Sequence, residues 1–353
     1  MQNRKRILVA PLNWGLGHAT RCIPIIEALE NHGFEPVIAS DGIALALLKK
    51  EFPALTAIEL PPYQIEYAKN GAFFKLKLIT QIPNMIKAVR RENSMVQELI
   101  EKHNIQGIIS DNRLGVYSKK LPCVFVTHQL NVLTGNTTWF TSKIHQMFIR
   151  KYNECWVPDV QTTPNLSGKL GHIDGNSLKV KYIGPLSRLH RKPMEKKYDL
   201  MAILSGPEPQ RTMLEEKLSD ELKRYKGKVI FVKGVVEPEE KITVKDNITY
   251  YNFMNTAALE QAFNESDKVL CRSGYTTIMD LAQLGKKAFF IPTPGQYEQE
   301  YLAHKLKKTG LVPYARQHSF KVEDLEKISL YKGLKNLGSD MRWKDLFSLF
   351  KGE

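Results

Sequence analysis

The sequence predicts an α/β protein of two doubly wound, Rossmann-like domains, and three observations carry that expectation. An apolar strand at 6–11 is followed by the glycine turn Asn13-Trp14-Gly15-Leu16-Gly17-His18. A helical series, Ile23, Ile26, Ala28 and Leu29, then runs until Gly33 stops it. The same order restarts at 200–204, with a Ser205-Gly206-Pro207 turn and a helix over 210–224. Finally, 353 residues are too many for one average core and comfortable for two.

Taken in order, further short strands are expected at 36–39, 57–60, 107–110, 123–127 and 155–157, with helices between most of them. Tyr182-Ile183-Gly184-Pro185-Leu186 ends this run and a charged stretch over 188–197 follows, so the domains are set at 1–185 and 186–353. In the second domain, a strand at 269–271, the turn Arg272-Ser273-Gly274, a helix over 275–284 and a strand at 288–291 ending at Pro292 make one compact unit. Tyr275, Ile278, Met279 and Ala282 share the apolar face of that helix; Thr276, Thr277 and Asp280 lie away from it.

A hydrophobic content of 42% with 25% charged residues describes a globular protein without a membrane span. Fifty-one basic against 37 acidic residues leave a net charge of +14, spread over both halves. That excess favours phosphorylated ligands, nucleic acid or anionic membrane. Nucleic acid is disfavoured, because the basic and aromatic residues form no recognisable RNA-binding motif. Cys22, Cys123, Cys155 and Cys271 are far apart and sit in apolar segments, as expected of reduced core residues in the cytoplasm. The apolar run after the basic opening breaks too early for a signal peptide. From 68 to 91, six Lys or Arg and no acid are interleaved with apolar residues at helical spacing, with Pro83 expected to kink the segment or start a second helix. A core-facing helix with a basic outer side explains this pattern; so does an interfacial helix through 73–91 on an anionic membrane surface, which would make the protein peripheral on the inner face.

The chemistry concentrates where strands end. A helix opening directly after a glycine turn presents amide N–H groups and the positive end of its dipole, which suits a phosphate at Arg272, Ser273, Gly274, Tyr275 and Thr276. Asp280 is placed to accept hydrogen bonds from a sugar's hydroxyls, and Gln299 and Glu300 follow a strand that opens into the same crevice. This combination reads as a nucleotide-sugar donor site, with Ser205, Gly206 and Arg211 on a second loop. His18 stands after the first strand, where a neutral imidazole can take a proton from an acceptor hydroxyl; its plainer roles are capping the turn or binding phosphate. Asp111 and His128 follow other strand ends, as an orienting carboxylate and a second histidine, or as a turn residue and a half-buried core histidine. Arg113 reads as a solvated charge. No Asp-x-Asp, HExxH or close Cys/His set supports a metal, and no cofactor is expected. Ala19 and Thr20 stand where a dinucleotide fingerprint needs glycine, which disfavours a dehydrogenase.

Arg272-Ser273-Gly274, an acid six positions on, a strand ending in Pro292, and Gln299 beside Glu300 together resemble the donor site of the MurG-type glycosyltransferases, whose best-known member adds N-acetylglucosamine to a lipid-linked peptidoglycan precursor. The resemblance implies the GT-B architecture: two Rossmann-like domains facing a central cleft, acceptor on the first and donor on the second. It implies an inverting, metal-independent transfer, most simply from UDP, to a lipid-linked acceptor. Gly15 and Gly17 resemble the family's acceptor loop, and Thr127-His128-Gln129 its His-Glu-Gln stretch in a shifted register. Two departures stand out: prolines replace glycines after Ser205-Gly206, and Asp280 is shorter than the usual glutamate. Gly17-His18-Ala19-Thr20-Arg21-Cys22 is also similar to the opening of the pseudaminic-acid pathway nucleotide-sugar hydrolase, which makes hydrolysis the alternative activity. A catalytically inactive nucleotide-sugar-binding protein is the second alternative.

Overall fold

The computed structural model describes residues 4–63, 74–133, 138–173, 175, 178–235, 237, 239–335 and 341–351. The chain divides into two compact units, Met1–Asp159, Lys169–Arg188 and Asp340–Glu353 in the first, Val160–Gly168 and Leu189–Ser339 in the second. The main crossing thus falls at Arg188 rather than 185. The larger departure from expectation is the C-terminal segment, which belongs with the first unit.

The first unit is built from β1 (Arg6–Pro11), α1 (Leu16–Asn31), β2 (Glu35–Ser40), α2 (Gly42–Glu51), β3 (Ala57–Glu59), α3 (Phe74–His103), β4 (Ile105–Asp111), β5 (Cys123–Val126), α4 (Thr138–Ile149), β6 (Glu154–Val157) and β7 (Val180–Tyr182). Its strands form one parallel sheet in the order β3-β2-β1-β4-β5-β6-β7. Helices cover both faces of such a sheet, so its central strands are largely apolar. Ile7, Leu8, Val9, Ile108, Ile109, Val124 and Phe125 are all fully buried.

The second unit repeats the scheme with β8 (Tyr198–Ile203), α5 (Gln210–Glu221), β9 (Val229–Val232), β10 (Ile242–Lys245), β11 (Ile248–Tyr251), α6 (Thr256–Glu265), β12 (Ser266–Cys271), α7 (Tyr275–Leu284), β13 (Lys287–Phe290) and α8 (Tyr297–Lys308). The sheet order is β10-β11-β9-β8-β12-β13, parallel except for the antiparallel edge strand β10. Among the described residues, that hairpin has no counterpart in the first unit. On α7, Tyr275, Ile278, Met279, Leu281, Ala282 and Leu284 are buried while Thr276, Thr277 and Asp280 are not, and Gly285 ends the helix at a φ of 64° that a side chain would strain.

Two short helices, α9 (Trp343–Leu346) and α10 (Ser348–Lys351), complete the first unit. Phe347 and Phe350 are buried against Phe34 and Trp156. Gly107 makes room for them, since a Cβ there would fall 2.5 Å from the Phe350 ring. The segment 64–73 lies outside the described residues, as do the side chains of 74–84, including Lys75 and Lys77. Helix α3 continues through Pro83 as one element, and in its described part Val89 and Val96 are buried while Lys87, Arg90 and Arg91 are exposed.

In each sheet the order reverses beside the first strand, between β1 and β4 and between β8 and β12. The strand ends there are in register: Pro11 opposite Asp111, and Ile203 opposite Cys271. Loops leaving adjacent strands in opposite directions leave a crevice at their carboxyl ends, where open α/β sheets hold ligands.

Candidate functional site

In the first unit that crevice collects His18, Arg21, Asp111 and His128. Asp111 is the last residue of β4 and fully buried, so it is not a turn residue. His18 lies in the first turn of α1, its side chain 14% exposed, with Nδ1 2.8 Å from Asp111 Oδ1. Arg21 follows one turn later on the same helix. Its Nε donates to Asp111 Oδ2 and its Nη2 to Asp111 Oδ1, a two-pronged grip on the carboxylate. Arg21 Nη1 donates to His128 Nδ1 at 3.1 Å. His128 is therefore buried and held through the guanidinium, rather than half-buried and independent.

Two neighbours meet His18 Nδ1 at 2.8 Å: Asp111 Oδ1, which only accepts, and Arg21 Nη2, which only donates. In the tautomer that carries the proton on Nδ1, the ring donates to Asp111 and Nε2 is the basic nitrogen. Burial lowers the imidazole below its ordinary pKa, the Arg21 charge lowers it further, and Asp111 opposes both. Burial alone would raise the Asp111 carboxyl; the Arg21 charge, then His18, override it and hold it well below the usual carboxylate range. The result is an ionised carboxylate steering a neutral imidazole, the state a general base needs.

Arg21 was not singled out as a site residue from the sequence, although the i, i+3 spacing of His18 and Arg21 places both on one helix face. Gly15 caps α1 in a left-handed conformation, φ 70°, and Gly17 lies in the first helical turn, its carbonyl accepting from the Thr20 hydroxyl at 3.1 Å.

In the second unit, the loops after β8, β12 and β13 lie side by side because their strands are in register. Gly274 caps α7, and the first turn of that helix, at Tyr275 and Thr276, stands at the edge of this crevice. Ser205 and Gly206 are exposed on the neighbouring loop. Three expected contacts turn out to be spent on architecture. Arg272 is buried and donates to the Ile291, Pro292 and Gln210 carbonyls, so it braces the loops instead of projecting from them. Burial lowers its pKa to about 10, and it keeps its charge at neutral pH. Arg211 is neutralised by Glu208 at 2.5 Å and Glu215 at 2.7 Å. The Ser273 hydroxyl donates to the Gln299 carbonyl at 2.8 Å, tying α7 to α8.

The Gln299 side chain accepts from the Thr293 amide at 2.9 Å, and Glu300 accepts from the Gly295 amide at 3.1 Å, so both shape the loop after β13. Asp280 is partly exposed on the outer face of α7 and close enough to Cys271 to raise its thiol pKa, after burial. Among the described residues, Arg272 Nε, Gln210 Oε1 and Thr293 Oγ1 are buried without hydrogen-bond partners. Arg272 and Thr293 lie in these loops, and Gln210 opens α5. No group of three or more His, Cys, Asp or Glu among the described residues is arranged for a metal. Hollows of about 430 and 400 Å³ at the amino-terminal edge of the first sheet, lined in part by Lys119 and Asn153, lie at the opposite strand ends.

The Arg21–Asp111 pair yields a stability test. Breaking a buried ion pair from one side costs about 3–5 kcal/mol, so Arg21→Met should lower the urea unfolding free energy on that scale. Asp111 has a depressed folded pKa, so its contribution is present above its unfolded pKa, about 3.9, and is lost as pH falls through the folded value. Arg21→Met should flatten this acid-side decline; equal stability and equal acid sensitivity in both proteins would refute the pair's role.

Residues 210–338 match the glycosyltransferase family 28 C-terminal domain. The chain is 24% identical over 263 residues to the UDP-N-acetylglucosamine–N-acetylmuramyl-(pentapeptide) pyrophosphoryl-undecaprenol N-acetylglucosamine transferase of Haemophilus ducreyi, covering 72% of this chain and 68% of the relative. An uncharacterized glycosyltransferase of Methanosarcina acetivorans is 22% identical over 349 residues, covering 89% and 86%. Among solved structures, Acinetobacter baumannii MurG superposes with a TM-score of 0.58 at 14% identity over 99% of both chains. The spinosyn rhamnosyltransferase SpnG complexed with thymidine diphosphate superposes with a TM-score of 0.62 at 13% identity, over 98% of this chain and 95% of that one. The chain has the GT-B fold, its residues 210–338 carry the glycosyltransferase family 28 C-terminal domain, and it is similar to glycosyltransferases of the MurG type.

Proposed function

We propose that the protein transfers a sugar from UDP to a hydroxyl of a lipid-linked acceptor by an inverting, metal-independent single displacement. The observation that carries this reading is the His18 ring held with Nδ1 2.8 Å from the buried Asp111 carboxylate; with the proton on Nδ1, Nε2 is the base. His18 Nε2 takes the proton of the acceptor hydroxyl as its oxygen attacks the anomeric carbon, and the bond to the diphosphate breaks on the opposite side. Asp111 holds the ring and stabilises the imidazolium that forms; Arg21 and His128 hold Asp111 and Arg21 in turn.

Negative charge grows on the departing diphosphate. The amide donors at the start of α7, the Ser205-Gly206 loop and the buried charge of Arg272 supply a preorganised positive potential for it. Arg272 acts here through its field, since its hydrogen bonds go to carbonyls. Asp280 and Gln299 are assigned to the ribose and to the donor loop. Names of the transferase relatives support UDP-N-acetylglucosamine as the first donor to test, and a hydroxyl rather than water as acceptor.

Exposed Lys87, Arg90 and Arg91 on α3 support docking on an anionic membrane at the cytoplasmic face, where a lipid-linked acceptor resides. Protein that stays in solution when anionic vesicles are sedimented at low salt rules that docking out.

The functional reading is tested by His18→Ala. General-base catalysis contributes about 100- to 10,000-fold, so turnover with UDP-N-acetylglucosamine should fall on that scale while UDP affinity by calorimetry is unchanged. Lost UDP binding with undiminished turnover of bound donor would make His18 a donor ligand and remove it as the base.

A further inference from the structure

Arg113 takes no part in this chemistry, and it is not the solvated charge its sequence context suggests. It is fully buried after β4. Its Nε donates to Glu92 Oε1 at 2.6 Å, Nη1 to Asp41 Oδ1 at 2.5 Å and Nη2 to the Pro61 carbonyl at 2.7 Å. Glu92, on α3, also accepts from the Gly115 amide at 3.0 Å and from the Tyr63 hydroxyl. The Tyr63 ring lies 5.3 Å from the guanidinium. One cation thus joins the ends of β2, β3 and β4 to the flank of α3. Desolvating a cation and two carboxylates is expensive, and only such complete pairing offsets it.

The network does not stop at Arg113. Asp41 Oδ2 accepts from Asn13 Nδ2 at 3.0 Å, and Asn13 Oδ1 accepts the Ala44 amide at 3.2 Å. The Asn13 side chain is wedged against the start of α2: a Cβ on Gly42 would fall 2.3 Å from Nδ2. Asn13 is the anchored residue immediately before Trp14, Gly15 and Leu16, which are all exposed, and this turn delivers His18. On its other side the turn is fixed by the Leu12 amide donating to the Asp111 carbonyl at 2.9 Å.

We propose that Asn13, Asp41, Arg113 and Glu92 are positioning residues for His18. They fix the direction of the turn between β1 and α1 so that the imidazole meets Asp111 and stays shielded from water. The role rests on the reading of His18 as the base, but its structural consequence is measurable without turnover. The groups facing His18 are Asp111 on β4, Arg21 on α1 and His128 beyond β5. Asn13→Ala touches none of them. Burial is the largest cause of the lowered His18 pKa, so a loosened turn that admits water should raise it toward the ordinary value, about 6.5.

The experiment is an NMR titration of His18 in the full chain, wild type against Asn13→Ala and Arg113→Lys, with sugar-transfer kinetics alongside. Arg113→Lys keeps the charge and loses the fork that spans both carboxylates. Both variants should raise the His18 pKa and lower kcat by about tenfold, within the range that small misplacements of reacting groups produce, while the KM for donor stays fixed. If Arg113→Lys does not fold, Asn13→Ala decides alone. A folded Asn13→Ala protein with an unchanged His18 titration overturns the proposal. Absence of sugar transfer by wild type would instead sink the functional reading, and the titration would still decide whether the network positions His18.

Discussion

The first unit depends on one buried ion pair, Arg21 with Asp111. A carboxylate at the end of a central strand, stripped of water, would protonate and lose its use unless a cation lay beside it. Arg21 supplies that cation from the helix that follows β1, and the parallel register of β1 and β4 brings the two together. The ionised carboxylate then orients the His18 ring, while the guanidinium, in reach of both histidines, discourages protonation of His18. Fold topology, the ion pair and a neutral base at physiological pH are successive consequences of one arrangement.

The proposed donor site in the second unit poses a different problem, that of holding donors of positive potential in place before any phosphate arrives. Its buried cation, Arg272, satisfies three carbonyls from two loops and keeps them in register with the start of α7. Ser273 and Gln299 lock α8 to the same edge. These side chains organise the crevice, at whose edge α7 begins. Such an arrangement suits a site where the charge to be stabilised appears only during reaction, because dipoles already fixed need not reorganise.

Much of this was legible in the sequence. The bounds of β1 and α7 and the buried face of α7 follow from short apolar runs, glycine stops and helical periodicity. His18, Asp111 and His128 were recognisable as candidates because each follows a strand end. What local pattern cannot convey is partnership across the fold. Arg21 and Asp111 are 90 positions apart, and Arg113 and Asp41 72. Arg113 therefore reads as a surface charge and Arg272 and Arg211 as charges beside a phosphate, whereas carboxylates or carbonyls engage all three. The return of α9 and α10 to the first unit was hidden for the same reason: Phe347 and Phe350 announce a buried face but not which core receives it. The β10–β11 hairpin was missed because its four exposed edge-strand residues carry no core signal.

The central claim is that His18, neutral and oriented by Asp111, is the group whose deprotonated form drives transfer. The most direct measurement is the pH dependence of kcat/KM for sugar transfer, set beside the His18 pKa read by NMR in the same free protein. A group that must be unprotonated gives a rate that falls as pH drops through its pKa. The account predicts an acidic limb with its midpoint at the His18 value, below the ordinary histidine pKa of about 6.5. A limb displaced from the His18 titration, or one that survives unchanged in His18→Gln, would show that another group is the base.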